Sequence, residues 1–250
     1  MKYRDLLIDA IDNEKAEKIQ KKYANLIKQQ ESQIKIVDLT DFDEIKQVVG
    51  LDISYCRRGN VEFGIACAVL WDLKECQLID EKYVKGVVNF PYTAGFLGFR
   101  ESILLIKALN KLKEDDLKPD VVMFDGHGII HPRRFGEAVH IGLTSNLPTF
   151  GVAKNPYIGY LDLDSLGTNR RDKVPIVPDQ IDLQKISTAE ILGYAIRLND
   201  NAKPVYVSKG YRISIDLAIK IALETTLDHR QPEPLYLADK LSRKKIKELE

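Results

Sequence analysis

Pro119-Asp120-Val121-Val122-Met123-Phe124-Asp125-Gly126-His127-Gly128 is the stretch that decides the fold. Val121 to Phe124 is an apolar run without polar alternation, the pattern of a strand covered on both faces. Pro119-Asp120 interrupts what precedes it, and Asp125-Gly126 ends the run on a carboxylate and a turn. An earlier run, Val48-Val49-Gly50-Leu51-Asp52, has the same form and closes on the same residue type. Between them, Leu97, Ile103, Leu104, Ile106, Ala108 and Leu109 recur at helical spacing over Phe96 to Leu112. Val48 to Tyr55, Val61 to Trp71 and Gln77 to Val88 read as strands, joined by Arg57-Arg58-Gly59-Asn60 and Asp72-Leu73-Lys74-Glu75 as hairpin turns. A meander that passes into strand, helix, strand marks an α/β sheet with mixed strand directions, flanked by helices.

Outward from that core, Arg4 to Lys28 alternates charge with apolar residues at helical spacing and predicts an N-terminal helical segment with a solvated face. Arg134 to Ile141 reads as a short helix, Leu147 to Ala153 as a strand, and Leu161 to Pro178 as a polar excursion over the site. Ile191 to Leu198 and Val205 to Ser208 form a late hairpin, and helices follow at Ser214 to Leu227 and Leu235 to Leu249. No repeat or linker divides the 250 residues, so a single domain over 1–250 is expected. With 44% hydrophobic residues the chain can cover a core. Its 37 basic and 37 acidic residues cancel, so affinity for nucleic acid must come from a local basic patch. Cys56, Cys67 and Cys76 show no metal-binding spacing and cannot all pair, and no run approaches the ~18 apolar residues of a membrane span. A cytoplasmic monomer without a membrane partner is the expectation.

Strand-end carboxylates are costly to desolvate unless a cation meets them. Asp52, Asp125 and Glu101, which opens a helix after Phe99-Arg100, therefore suit a hard divalent metal with oxygen ligands and phosphodiester hydrolysis. Position alone leaves Asp52 and Asp125 equally open to turn or capping roles. The segment Gly126-His127-Gly128-Ile129-Ile130-His131-Pro132-Arg133-Arg134 joins glycines that allow close approach to a ligand with imidazoles and guanidiniums suited to phosphate. Zinc on His127 and His131 is the rival, weakened by the intervening glycine and the lack of a thiolate at ligand spacing. His140 reads equally as a core histidine or a functional one. Phe90-Pro91-Tyr92-Thr93-Ala94-Gly95-Phe96 presents a tyrosine on a turn, as a wedge into stacked bases or as ordinary packing. Arg57-Arg58, Lys154, Arg170-Arg171, Lys209 and Arg212 fall at loops and element ends, where phosphate contacts or plain solvation would place them.

The run Asp125 to Gly142 resembles the central signature of endonuclease V, and the likeness extends to Gly50-Leu51-Asp52, Pro91 to Glu101, Gly151-Val152-Ala153-Lys154, Pro204 to Ser208, Tyr211 to Ser214 and Glu233-Pro234. The resemblance implies a ribonuclease H-like fold. It implies a magnesium-dependent endonuclease, with manganese as the alternative ion, that recognises inosine or deoxyinosine and cuts the second phosphodiester bond on its 3′ side. Its partner would be deoxyinosine-containing DNA, with inosine-containing RNA as the alternative. By matching positions, Asp52 and Asp125 resemble the metal ligands and Glu101 the third acid. Asp239 resembles the acid near the C-terminus, with Asp216 as runner-up, and His131 and Lys154 resemble supporting catalytic residues. Leu97, Gly126, Gly128 and Gly136 resemble the pocket for the flipped base, and Pro91, Tyr92, Thr93 and Ala94 the strand-separating wedge. Thr93-Ala94 departs from the usual Ile-Pro of that wedge, and Gly210-Tyr211-Arg212 from the usual Gly-His-Arg.

Overall fold

The computed structural model describes residues 3–33, 39–180 and 190–248; the expected limits at Met1 and Leu249 lie outside the described residues. After a short 3-10 turn (Arg4–Leu6), the order is α1 (Asn13–Gln33), β1 (Gln47–Arg58), β2 (Val61–Asp72), β3 (Gln77–Val87), α2 (Leu97–Glu114), β4 (Val121–Phe124), α3 (Glu137–Ser145), β5 (Thr149–Ala153), β6 (Lys173–Ile176), β7 (Gly193–Ile196), β8 (Val205–Tyr211), α4 (Ile215–Glu224) and α5 (Glu233–Lys247). The strands form one eight-stranded sheet in the order β3-β2-β1-β4-β5-β8-β7-β6. β1, β4 and β5 are mutually parallel at its centre and the other pairings are antiparallel. This is the mixed α/β sheet flanked by helices that the patterning and the resemblance predict.

Alternation along the central strands sorts their side chains onto two buried faces. Val49, Leu51, Ala66, Ala68 and Leu70 pack with Leu104, Leu105 and Leu109 of α2 and with Ala138 and Ile141 of α3. Val48, Met123, Phe150 and Val207 pack on the opposite face with Leu217, Ala218 and Ile221 of α4. Ile65, Cys67 and Val69 complete that second face under Ala238, Leu241 and Ile246 of α5. Gly50 lets α5 come this close, because a Cβ there would stand 2.3 Å from the Pro234 carbonyl carbon.

Two expectations need correction. The helix read from Arg134 begins at Glu137, because Arg134 is left-handed at φ 52° and Gly136 is extended before the first turn. The Leu161 to Pro178 excursion contains an edge strand, β6, and none of its residues lines the cavity described below. Lys173-Val174-Pro175-Ile176 alternates exposed and buried, and the proline is tolerated because β6 ends the sheet.

Candidate active site

β4 and β5 end side by side, at the edge where open α/β sheets place their ligands, while β1 runs on past them to Arg58, so that Asp52 lies within the strand, opposite Cys67 of β2. β1 and β4 run in register from Val48↔Val121 to Leu51↔Phe124. One residue further, that register sets Asp52 beside Asp125, and β5 ends next to them on Lys154. Lys154 Nζ meets Asp125 Oδ2 at 2.5 Å. From α5, Ser242 Oγ donates to Asp52 Oδ2 at 3.0 Å, and Arg243 Nε donates to Asp239 Oδ1 at 2.7 Å. Burial, and after it the charge of Asp125, pushes the Asp52 carboxyl up to about 7; Asp239 and Glu101 add to the rise and the Ser242 hydrogen bond opposes it. Asp239 thus belongs to this centre, whereas the Asp216 side chain is 84% exposed and pairs only loosely with Lys173, at 3.8 Å.

Glu101, buried in the first turns of α2, accepts a hydrogen bond from the Tyr55 hydroxyl. Burial raises its carboxyl, against the opposing charge of Arg100. Arg100 is itself held by Glu62 at 2.8 Å and the Phe90 carbonyl at 2.6 Å, with its guanidinium 4.4 Å over the Tyr55 ring. A second buried carboxyl, Glu137, is raised well above the usual carboxylate range by burial and, after it, by the charge of Glu101.

Beside these acids opens a cavity of about 230 Å³, several times the ~30 Å³ of a water molecule. Leu97, Gly126, His127, Gly136, Glu137 and Tyr157 line it, and Tyr92, Thr93 and Ala94 form its lip. Tyr92 is 77% exposed, so it is no core aromatic. The lip is anchored through Gly95, a left-handed residue at φ 84°. Its carbonyl accepts from Gln20 Nε2 at 2.9 Å, His131 Nε2 at 3.0 Å and Arg133 Nη2 at 2.9 Å. His131 Nδ1 accepts in turn from the Arg133 amide at 3.2 Å, so both ring nitrogens face backbone groups and burial holds the imidazole neutral, down to about 3. His131 therefore shapes the cavity and does not reach the carboxylates. Gly128 stands behind the wall: its N–H donates to Ser208 Oγ at 2.8 Å, and a Cβ there would lie 2.0 Å from the Lys209 carbonyl oxygen. Gly136 closes the loop by donating to the Gly128 carbonyl at 3.1 Å.

His140 is a core residue, its Nε2 paired with the Leu6 carbonyl at 2.7 Å and its ring edge-on to Phe99. Arg170 is spent on the Leu223 and Thr226 carbonyls at the C-terminal end of α4, which favours a cation, and not on an open surface. Sequence reasoning missed Gln20, Tyr55, Glu137 and Ser242. Gln20 has a visible signal, a polar residue on the Ala16, Ile19, Tyr23 stripe of α1; Tyr55 and Ser242 have none outside the fold.

Whether a cation suits this centre follows from its donors. The acids of this centre, Asp52, Asp125, Glu101 and Asp239, offer oxygen alone, and the burial and, after it, the Asp125 charge that raise Asp52 are what a divalent ion would offset. His127 and His131 make no zinc set, since His131 is committed to backbone. Among the described residues no three His, Cys, Asp or Glu side chains are already gathered into a ligand shell; each carboxylate holds a donor from the chain instead.

Adjoining parallel strands that carry a carboxylate pair, Asp52 within β1 and Asp125 just after β4, beside a cavity broad enough for one base, are the arrangement of a nuclease that hydrolyses phosphodiester bonds, and the family match bears that class out. The chain belongs to the endonuclease V family, whose sequence model, Endonuclease V, matches residues 28–240. It is 37% identical over 226 residues to the endonuclease V of Dictyoglomus turgidum, across 90% of this chain and 91% of that one. Bacillus subtilis endonuclease V superposes with a TM-score of 0.82 at 26% identity, covering 98% of both chains. Ciona intestinalis endonuclease V, solved in complex with a 24mer DNA containing an inosine followed by a ribo-adenosine, superposes with a TM-score of 0.75 at 27% identity, over 94% of this chain and 97% of that one. Among the described residues no helix is long and apolar enough to cross a membrane.

Proposed function

We propose that this chain captures a hypoxanthine base flipped out of DNA and hydrolyses the second phosphodiester bond on its 3′ side, in the repair of deaminated adenine. The observation that carries this reading is the sharing of one loop: Asp125 belongs to the carboxylate pair, and the next two residues, Gly126 and His127, belong to the cavity wall. A base seated in the cavity keeps its own strand beside the acids. The Ciona intestinalis protein, seen with inosine-containing DNA, supports the same substrate here.

Asp52 and Asp125 would hold magnesium, or manganese in its place, with Glu101 and Asp239 adding negative charge. When bound, such an ion lowers the pKa of water and offsets charge on the phosphodiester. Lys154 holds Asp125 in place and brings a positive charge to the strand edge where a phosphate arrives. Tyr92 fills the gap left by the extruded base, Pro91, Thr93 and Ala94 carry it, and His131 secures their turn through Gly95. Leu97, Gly126 and Gly136 bound the base, with Gly128 buttressing them from behind. One domain across residues 1–250 does all of this as a cytoplasmic monomer, in keeping with three free cysteines. Cleavage of matched DNA and RNA oligonucleotides, each carrying one inosine and paired with an adenine control, tests the reading; equal cutting of inosine and control strands would reject it.

A further inference from the structure

Glu137 is a buried acid to which the proposed chemistry gives no role. Only 4% of the residue is exposed. Its carboxyl lies against Gly126, where a Cβ would stand 2.5 Å from Oε2, and it forms part of the cavity wall. The charges that act on it are carboxylates: Glu101 first, then Asp52 and Asp125. Burying an acid among acids costs stability, and a leucine of similar length would fill the same space. Packing therefore does not account for it.

What this carboxyl offers the cavity follows from its place in the wall: its Oε2 stands over Gly126, a lining residue, so it presents lone-pair-bearing oxygen to whatever the cavity holds. A 6-oxopurine presents an N–H at ring position 1; adenine presents a lone pair there.

We propose that the Glu137 carboxyl accepts the N1–H of the base held in the cavity and is a specificity-determining residue that excludes adenine. This rests on the cavity being the base site of the preceding reading. Its own content is narrower: selection comes from a side chain peculiar to this position, through position 1 of the ring and not only through its 6-oxo group. A base with N1–H is accepted, and one with N1 methylated or unprotonated is refused. Loss of a hydrogen bond to such a group corresponds to about a 10- to 100-fold change in affinity.

The test uses the full chain in EDTA, so that strands bind without being cut, with fluorescein-labelled single-stranded DNA carrying hypoxanthine, 1-methylhypoxanthine or adenine at one position. Fluorescence anisotropy should give wild type a preference of about 10- to 100-fold for the hypoxanthine strand over both others. Glu137→Leu should bind the hypoxanthine and 1-methylhypoxanthine strands alike, keeping over adenine only what the 6-oxo group supplies, with a melting temperature equal to or above wild type because a buried acid has gone. Glu137→Gln should keep the preference, since its amide carbonyl can accept N1–H from the same place. A wild-type preference for hypoxanthine over 1-methylhypoxanthine that survives in Glu137→Leu, or that is lost in Glu137→Gln, overturns the assignment. A wild type that binds the three strands equally overturns the hypoxanthine reading itself, and the two failures are thereby distinct.

Discussion

Tyr92→Ala separates the wedge from the core. With the residue 77% exposed, only about a quarter of an aromatic surface of ~200 Å² is covered, and at ~25 cal/mol per Å² its truncation costs about 1 kcal/mol of stability. In a chain of this size that lowers the melting temperature by roughly 2–4 °C. The functional loss is larger and falls on one substrate. If the ring replaces the stacking of the extruded base, worth about 1–3 kcal/mol, cleavage of duplex slows roughly 5- to 150-fold. Single-stranded substrate, which has no opposing stack to open, slows far less. The assay is the ratio of duplex to single-strand rates with one inosine at a fixed position, in wild type and variant, beside a melting curve of each protein. An unchanged ratio would refute the wedge, and a melting temperature lowered by ten degrees or more would place Tyr92 in the core despite its exposure.

Other expectations follow from the same contacts. Asp52→Ala and Asp125→Ala should each lower magnesium-dependent cleavage by roughly 10³-fold, while binding of an inosine strand, measured without magnesium, persists; near-normal turnover at saturating magnesium would remove these residues from the metal site. EDTA should stop wild-type cleavage, and magnesium or manganese should restore it; undiminished cutting in EDTA would dismiss the metal. Gln20→Ala should cost about 1–3 kcal/mol, because it leaves Arg133 Nε without its acceptor, and should raise KM for the inosine strand more than it lowers kcat; a wild-type melting curve and KM would leave Gln20 without this role. His140 is held down to about 4 by burial, against 6.5 in the unfolded chain. The unfolded state therefore protonates first as pH falls, so this group's stabilising share is full above about pH 6.5 and is lost progressively down to about pH 4, amounting to about 2 kcal/mol at pH 5. Urea unfolding of wild type should show that loss between pH 7 and pH 5, and His140→Phe should show less of it; equal losses in both would exclude His140 as the cause.

What could be read from the sequence was what local pattern encodes. Val48 to Asp52 and Val121 to Asp125 declare buried strand segments that lead to acids, and the parallel register of Leu51 with Phe124 sets those acids side by side, Asp52 within β1 and Asp125 just after β4. The mixed sheet follows from the turn residues after Tyr55 and Trp71 and from the helix at Phe96. The start of α3 was misplaced because Arg134 and Gly136 adopt backbone angles fixed by tertiary bonds, Gly136 to Gly128 and Ala138 to the His127 carbonyl. β6 went unread because Pro175 masks a four-residue alternation whose edge position only the assembled sheet reveals. His131 resembled a catalytic support by motif, yet its bonds to Gly95 and Arg133 depend on how a distant turn folds back. Gln20 and Glu137 escaped notice because burial of a polar group is a property of the fold; in sequence each is one polar residue among many.

The donors that surround the acids explain how the chain can assemble them before any ion arrives. Asp52, Glu101, Asp125 and Glu137 sit within mutual electrostatic reach, and each alone would be expensive to bury. Ser242, Tyr55 and Lys154 each satisfy one carboxylate, and burial, with the charge of its neighbours, raises the fourth acid well above the usual carboxylate range. A divalent ion held by Asp52 and Asp125 would supply the positive charge this cluster calls for, as Lys154 does for Asp125. A base entering the cavity touches Gly126, the residue after Asp125, and Glu137, on which the charge of Glu101 acts. Occupancy of the cavity and the arrangement of the acids are thus joined by one covalent link and by the charges that act on Glu137, so the identity of the base can bear on the state of the centre that cuts the strand.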